Sequence, residues 1–391
     1  MTAADGPRVS MLVRNPFTHD SRVEKEAATL AAAGYRVTVV AEARPDLPLR
    51  EERESYAVLR VERPATRVRG LRLVVHLRRM EEVLLGTQPD ILHAHDSDAL
   101  QPVARAARRL GIPFVYDAHE LWLGKKNRGR SALYFALYRA YYALIERRYL
   151  RRAAAWIVAN PPVAPHLERR YGLSDVRLVA NYPDRTRPDA VRDLRTLPGG
   201  DRIRAGVPIM LYLGGMMAGR GLEQLIEAMV DVPQADLVML GSGEYGAVLV
   251  RHAERFAVAD RLHLLPAVPT DQVIDYSASA DIGVSPIVDS CLSYRYALPN
   301  KLFQYMAARL PVVASDFSQI RDVIDASGAG ITVDTSRPAA IATALNRILA
   351  DPAEAARMGT NGQAAVESRY NWEVSAAELR RVYAGLPARR R

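Results

Sequence analysis

The sequence predicts an α/β protein of two doubly wound domains in tandem, on three observations. Short apolar runs suited to buried parallel strands alternate with amphipathic helical runs from end to end. The alternation breaks once, over residues 184–207, and then restarts. A length of 391 residues accommodates two such domains at roughly 150 residues each.

The elements follow in order. RVSMLV (8–13) is an apolar run fit for a buried strand, and RVEKEAATLAAAGY (22–35) reads as a helix closed by Gly34. RVTVVA (36–41), AVLRVE (57–62), ILHAH (91–95), FVYDAH (114–119) and WIVA (156–159) repeat the strand pattern, with helical stretches between most of them. Strand–helix–strand repetition calls for right-handed crossovers that cover both faces of a parallel sheet. Residues 184–207 are rich in Pro, Gly, Arg and Asp and read as a linker. PIMLYLGG (208–215), ADLVMLGSG (235–243), RLHLL (261–265), ADIGVSP (280–286), PVVAS (311–315) and GITV (330–333) are the strands of the second half, with GLEQLIEAMV (221–230) as a helix. The expected division is 1–183, a linker at 184–207, 208–370, and a terminal helix in 371–391. The chain from Pro338 reads as helical apart from a break near Tyr370–Trp372.

Hydrophobic residues at 49% and charged residues at 25% exclude disorder for most of the chain. Cys291 is the single cysteine, which excludes an internal disulfide framework and an all-Cys metal cluster. The opening MTAADGPRVS lacks the basic-then-apolar pattern of a signal peptide, and no run of eighteen apolar residues occurs. These features set the expectation of a cytoplasmic protein. The net charge of +9 is uneven: residues 1–190 hold 32 Lys+Arg against 22 Asp+Glu, and residues 191–391 hold 21 against 22. A basic first half expects an anionic partner, either nucleic acid or an anionic membrane surface. No zinc finger or RNP-like strand supports nucleic acid. SALYFALYRAYYALIERRYLRRAAAW (131–156) interleaves aromatics with arginines. It fits a helix packed on its own sheet, the preferred reading, and otherwise a membrane-surface helix, peripheral on the inner face of the plasma membrane.

At the carboxyl ends of the strands, where such folds bind ligands, five motifs stand out. In LYLGGMMAGRGLEQLIEA, Gly214 and Gly215 close a strand and Arg220 precedes a helix. Glycines let a phosphate approach the backbone, and the motif fits phosphate binding or a plain turn with a surface arginine. In LPNKLFQYMAARLPVVAS, Lys301 is one of only four lysines among 53 Lys+Arg, with Lys25, Lys125 and Lys126. Asn300 is expected to cap the helix, with Lys301 and Leu302 in its first turn and Gln304 one turn on. In FVYDAHELW, His119 and Glu120 follow a strand end, where a histidine can donate to or accept from substrate hydroxyls. HAHDSDAL (93–100) suggests a metal site, but Ser97 stands where a metallohydrolase needs Asp. The plain reading is preferred: a buried strand, then Asp or Ser capping the next helix, with no metal. The aromatic–arginine helix is the fifth.

Together these residues resemble the retaining GT-B glycosyltransferases of family four over nearly the whole chain. The resemblance lies in DSRVEKEAATLAAAGYRVTVVA, PDILHAHDSDAL, VYDAHELW, LYLGGMMAGRGLEQLIEAM and LPNKLFQYMAARLPVVASD, in matching order. The last two resemble the branch carrying PNKLFEYMAAG, common among polysaccharide and natural-product sugar transferases. The resemblance implies two Rossmann-like domains facing across a cleft, with the last helices crossing back to the N-terminal domain. It implies transfer from a nucleotide-sugar bound by the C-terminal half, a UDP-sugar with GDP- and TDP-sugars as alternatives. The acceptor is a lipid-linked, polysaccharide or natural-product alcohol rather than nucleic acid. It implies no cofactor and no bound metal, and the alternatives to transfer are a nucleotide-sugar epimerase of GT-B shape and a non-catalytic nucleotide-sugar-binding protein. Arg220 and Lys301 would neutralise the diphosphate, Gly214 and Gly215 approach it, and His119 lie near the transferred sugar. Ser242 and Gly243 would line the base, and Asn300, Leu302 and Gln304 would belong to the donor site. Family glutamates are replaced here by Tyr296 and Gln304, the usual glycine after MAA by Arg309, and another family glycine by Pro299.

Overall fold

Each apolar run identified above forms a strand, and helices cover the crossovers. The computed structural model describes residues 6–18, 20–65, 68–124 and 131–387. Lys125 and Lys126 lie outside the described residues. The chain forms two units, Met1–Asn181 with Ser375–Arg391, and Tyr182–Val374.

In the first unit the order is β1 (Arg8–Leu12), α1 (Ser21–Ala32), β2 (Arg36–Glu42), β3 (Arg50–Glu52), β4 (Ala57–Val61), α2 (Arg69–Gly86), β5 (Ile91–His95), α3 (Asp96–Leu110), β6 (Phe114–Ala118), α4 (Ala132–Tyr149), β7 (Ala155–Val158), α5 (Val163–Tyr171) and β8 (Arg177–Leu178). The sheet runs β3-β4-β2-β1-β5-β6-β7-β8, parallel throughout except for antiparallel β3 on β4. Val9 of β1 pairs with Val37 on one side and Ile91 on the other, and all five residues of both β5 and β6 are buried. That double burial is why these strands read as continuous apolar runs. β3 and β8 carry no such run. REE is a charged edge strand, a composition that discourages further pairing.

The second unit contains β9 (Ile209–Leu213), α6 (Leu222–Ala228), β10 (Asp236–Leu240), α7 (Gly246–Arg255), β11 (Leu262–Leu265), α8 (Val273–Ser277), β12 (Ile282–Ser285), α9 (Leu292–Arg295), α10 (Asn300–Ala307), β13 (Val312–Ser315), α11 (Ser318–Ser327), β14 (Gly330–Val333), α12 (Pro338–Ala350) and α13 (Pro352–Ser368). Its six strands run β11-β10-β9-β12-β13-β14, all parallel. The core packs Leu222, Leu225 and Ile226 of α6 and Ile341 and Leu345 of α12 against Met210, Tyr212 and Met239. α14 (Trp372–Ala384) begins in this unit and ends in the first.

Residues 184–207 are irregular but not a free tether. Leu194 and Ile203 are buried, the Leu194 amide donates to Ser279 Oγ at 3.1 Å, and Arg185 Nη2 pairs with Asp275 at 2.7 Å. The composition hides this because the segment is held by polar contacts and isolated apolar anchors rather than by a periodic face. The helical end of the chain also breaks at Asp351, whose side chain caps α13 by accepting from the Glu354 amide. Among the described residues no helix is long and apolar enough to cross a membrane.

Candidate functional site

In the second unit a cavity of about 400 Å³ opens at the carboxyl ends of β9 and β10. Gly214, Gly215, Arg220, Asn300, Lys301 and Gln304 line it, with Ala267 and Val268 among its apolar wall. The floor needs glycine at two contacts. Gly214 has φ +108, and a Cβ on Gly241 would meet the Gly214 carbonyl oxygen at 2.2 Å. The turns after β9 and β10 therefore pack backbone on backbone, tied by Gly214 N–H to Leu240 O at 2.9 Å.

Two tyrosines place the charged residues. Tyr305 on α10 accepts from the Leu213 amide at 2.8 Å and donates to Val284 O at 3.0 Å, clamping α10 to the ends of β9 and β12. Lys301, one turn earlier, is thereby held at the mouth of β9. Its Nζ lies 3.6 Å from the Tyr212 ring centroid, and the Tyr212 hydroxyl donates to Gly215 O at 3.0 Å. The Arg220 guanidinium stacks on Tyr294 at 4.9 Å. Among the described residues neither Arg220 nor Lys301 forms an ion pair. Burial, then the like charge of Arg220, holds the Lys301 ammonium well below the usual lysine range. Two cations sharing a small cavity without a carboxylate make a site for an anion.

Some expected residues fall elsewhere. Leu302 is fully buried in the core, and its amide donates to Pro299 O at 3.0 Å, so neither its side chain nor its N–H faces the cavity. Pro299 occupies the cap position of α10, Asn300 is the first helical residue, and no side chain caps this end. Ser242 and Gly243 are exposed beside Gly241 and are not among the lining residues; Tyr296 also lies outside the lining.

In the first unit, His119 follows β6 and joins a buried charged network. Its Nε2 lies 3.0 Å from Asp117 Oδ2, and its backbone N–H donates to Asp96 Oδ1 at 2.9 Å. Arg22 of α1 grips Asp117 bidentately at 2.7 and 2.8 Å. His95 Nδ1 lies 3.2 Å from the same carboxylate. Burial opposes charge on His119, but Asp96 and Asp117 overcome it and raise the imidazole to about 10. His119 is therefore a cation and a donor at neutral pH, not the donor-or-acceptor expected from the sequence. Burial drives His93 and His95 down, so both are neutral. Asp96, at φ +64, and Ser97 do not cap α3. Asp96 holds the His119 amide, and Ser97 bonds Tyr116 at 2.9 Å and Glu146 at 2.5 Å.

Glu26, His93, His95 and Asp117 bring four ligand-type atoms within 4.8 Å of one another. Three features disfavour a cation there. Arg22 Nε stands 3.1 Å from Glu26 and 2.8 Å from Asp117, a fixed positive charge in the same space. Burial and Asp117 push the Glu26 carboxyl up to about 8, which leaves it protonated. The His93 and His95 rings stack at 4.2 Å with 23° between planes, so their lone pairs run side by side rather than converge.

The sequence reading missed Tyr212, Tyr294 and most of this network. One signal was present: Arg22 and Glu26 occupy the apolar face of α1 beside Val23, Ala27 and Leu30. Charged residues at core positions need partners, and Asp117 is the partner.

Residues 21–187 match the family described as Glycosyltransferase Family 4, and residues 197–365 match Glycosyl transferases group 1. A D-inositol 3-phosphate glycosyltransferase of Xylanimonas cellulosilytica is 25% identical over 77% of this chain and 73% of its own length. A GDP-mannose-dependent alpha-(1-6)-phosphatidylinositol monomannoside mannosyltransferase of Mycolicibacterium smegmatis is 27% identical over 73% of each chain. The sucrose-phosphate synthase of Thermosynechococcus elongatus shares the fold, with a TM-score of 0.77 over 97% of this chain and 98% of that one at 21% identity. With both halves matched and two parallel-sheet Rossmann-like domains present, this chain belongs to the GT-B glycosyltransferases, a Glycosyltransferase Family 4 part followed by a Glycosyl transferases group 1 part.

Proposed function

We propose that this glycosyltransferase moves a sugar from a UDP-sugar to a hydroxyl of a lipid-linked, polysaccharide or natural-product acceptor. The anomeric configuration is retained and no metal is required. The observation that carries the reading is the pair Arg220 and Lys301, which share one cavity of the second unit and form no ion pair among the described residues. A diphosphate satisfies both cations, and charge developing on the departing phosphate strengthens both contacts, which is how a site lowers a barrier rather than only binding. Arg220, with Lys301 once the diphosphate restores its proton, supplies the neutralisation a divalent ion supplies in other transferases.

Gln304 is assigned to the donor ribose by resemblance and offers neutral hydrogen bonds there. His119 is assigned to the transferred sugar and the acceptor hydroxyl. As a cation it donates and cannot take the acceptor's proton, and Asp117 is fully buried and bonded to Arg22, His95 and His119. The proton then passes to the departing diphosphate oxygen as the new glycosidic bond forms and the old one breaks. The same commitment of Asp117 weighs against its serving sugar epimerisation, the alternative for which Asp117 and Glu120 are the candidate carboxyls. The similar mannosyltransferase of Mycolicibacterium smegmatis is GDP-mannose-dependent, so UDP- and GDP-sugars are the two donors to compare.

The test is proton NMR of the sugar released or transferred from each donor in real time. The first-formed product carries the donor's anomeric configuration on this account; the inverted anomer contradicts it. No turnover with any donor, restored by Gln304→Glu, favours a nucleotide-sugar-binding protein instead.

A further inference from the structure

We propose that helix α4 and the basic pocket at its end dock the first unit onto an anionic lipid bilayer. The inference is independent of the transfer reading. α4 carries a stripe at positions 133, 137, 140, 144, 147 and 151, spaced alternately by four and three residues and continued into the short turn Leu150–Arg152. That spacing keeps one face of a helix. Leu133, Leu137 and Leu144 on it are 70%, 62% and 62% exposed, and Tyr134 beside them is 51% exposed. The opposite face, with Tyr142, Ile145 and Tyr149, is buried. Helix formation and packing of the unit explain the buried face and leave the exposed leucines without a role; an apolar run of about 16 Å facing water marks an interaction surface.

The far end of the stripe is basic. Leu144, Arg147, Arg151, Arg170 and Tyr171 line a pocket of about 730 Å³. Elsewhere in this unit exposed arginines hold carboxylates, as Arg44 does with Asp46 and Arg177 with Glu378. Arg147, Arg148, Arg151, Arg152, Arg169 and Arg170 form no ion pair among the described residues. Glu146, beneath the pocket, is buried and is bonded to Ser97 and Tyr171. Burial, then Arg170 and Arg169, also lowers His166, which reports the positive field.

Leucines that insert among acyl chains and unpaired guanidiniums that meet phosphates are the two halves of an interfacial helix. A second copy of the chain is a poorer occupant, since pairing along the stripe would bury Arg147 and Arg151 without a carboxylate.

The experiment is co-sedimentation of the full chain, without donor, with vesicles of phosphatidylcholine alone or mixed with phosphatidylglycerol, at low and 0.5 M salt. The proposal expects binding to the mixed vesicles only, weakened by salt and by at least about tenfold in Arg147→Glu/Arg151→Glu/Arg170→Glu and in Leu137→Asp/Leu144→Asp. Circular dichroism melting checks that these surface variants stay folded. A variant that does not fold is replaced by Arg147→Gln/Arg151→Gln, for which the same direction is expected. Equal binding by wild type and variants overturns the proposal, as does no binding to phosphatidylglycerol. Soluble glycerol phosphate bound without vesicle binding, or a dimer that Leu137→Asp/Leu144→Asp dissolves, assigns the face elsewhere and also overturns it. None of these outcomes touches sugar transfer, which is measured with a soluble acceptor.

Discussion

The Lys301 ammonium sits 3.6 Å from the centroid of the Tyr212 ring with no carboxylate partner among the described residues, and the Arg220 guanidinium shares its cavity. The aromatic face offsets part of the cost of that charge, but burial and Arg220 still pull the ammonium's pKa well down. The free site is therefore poised for an anion.

Removing the charge should separate stability from function. Lys301→Met is expected to raise the melting temperature of the ligand-free protein by about 2–4 °C, because it relieves a buried unpaired charge. The same change, or Arg220→Ala, should cost roughly 2–4 kcal/mol in kcat/KM. Scanning calorimetry and steady-state kinetics on the same samples check both; a destabilised Lys301→Met with normal kcat/KM goes against the account.

Donor binding should take up a proton. Folded, Lys301 holds its proton less well than an ordinary lysine, and an adjacent diphosphate restores it. Calorimetric titration with UDP above the free-site value, in buffers of different ionisation enthalpy, should show net uptake that vanishes in Lys301→Met. The stability sign follows from linkage: the unfolded chain binds more protons below pH 10.5, so this residue makes the ligand-free protein more stable as pH rises through that window.

His119 should act with the opposite sign. Its folded value of about 10 lies above the ordinary histidine value of 6.5. Its stabilisation is complete below 6.5 and is lost as pH rises through about 10. NMR should find the His119 ring protonated and flat from pH 5.5 to 8.5, and Asp96→Asn should lower its titration point. A His119 midpoint near 6.5 in the wild type contradicts the network described here.

Asp117→Asn removes the bidentate partner of buried Arg22 and leaves only the Glu26 carboxyl beside it, at 3.1 Å. A loss of about 3–5 kcal/mol is expected in denaturant unfolding. A loss under about 1 kcal/mol would show that Arg22 reaches water or another acid.

Gln304→Glu places a charge-assisted acceptor in the cavity. If Gln304 meets the ribose hydroxyls, donor affinity should improve by about 1 kcal/mol, or roughly fivefold, with kcat nearly unchanged. An unchanged or weaker dissociation constant removes Gln304 from that role.

Much of the fold was legible because parallel strands buried on both faces are forced into unbroken apolar runs, as in ILHAH and VVAS. β3 was invisible because an edge strand of Arg and Glu has no buried face, and residues 184–207 because polar contacts hold them. At the site, Lys301 was legible by scarcity and Gly214 by its place after a strand. Leu302 was not: being in the first turn of α10 does not say which way that turn faces. The aromatic partners Tyr212 and Tyr294 read as ordinary apolar residues, since only the folded backbone brings them under the two cations. Arg309 shows a departure with a physical reading, for it stands at φ +62, where glycine is favoured, and bonds Thr360 at 2.9 Å.

The central claim is that Arg220 and Lys301 form the diphosphate site, and nucleoside-diphosphate binding by thermal shift tests it most directly. At saturating UDP or GDP the wild type should melt several degrees higher, by the binding free energy gained by the folded state, and Lys301→Met and Arg220→Ala should show no shift. Equal shifts in wild type and both variants, or no shift with any nucleoside diphosphate, would contradict the account.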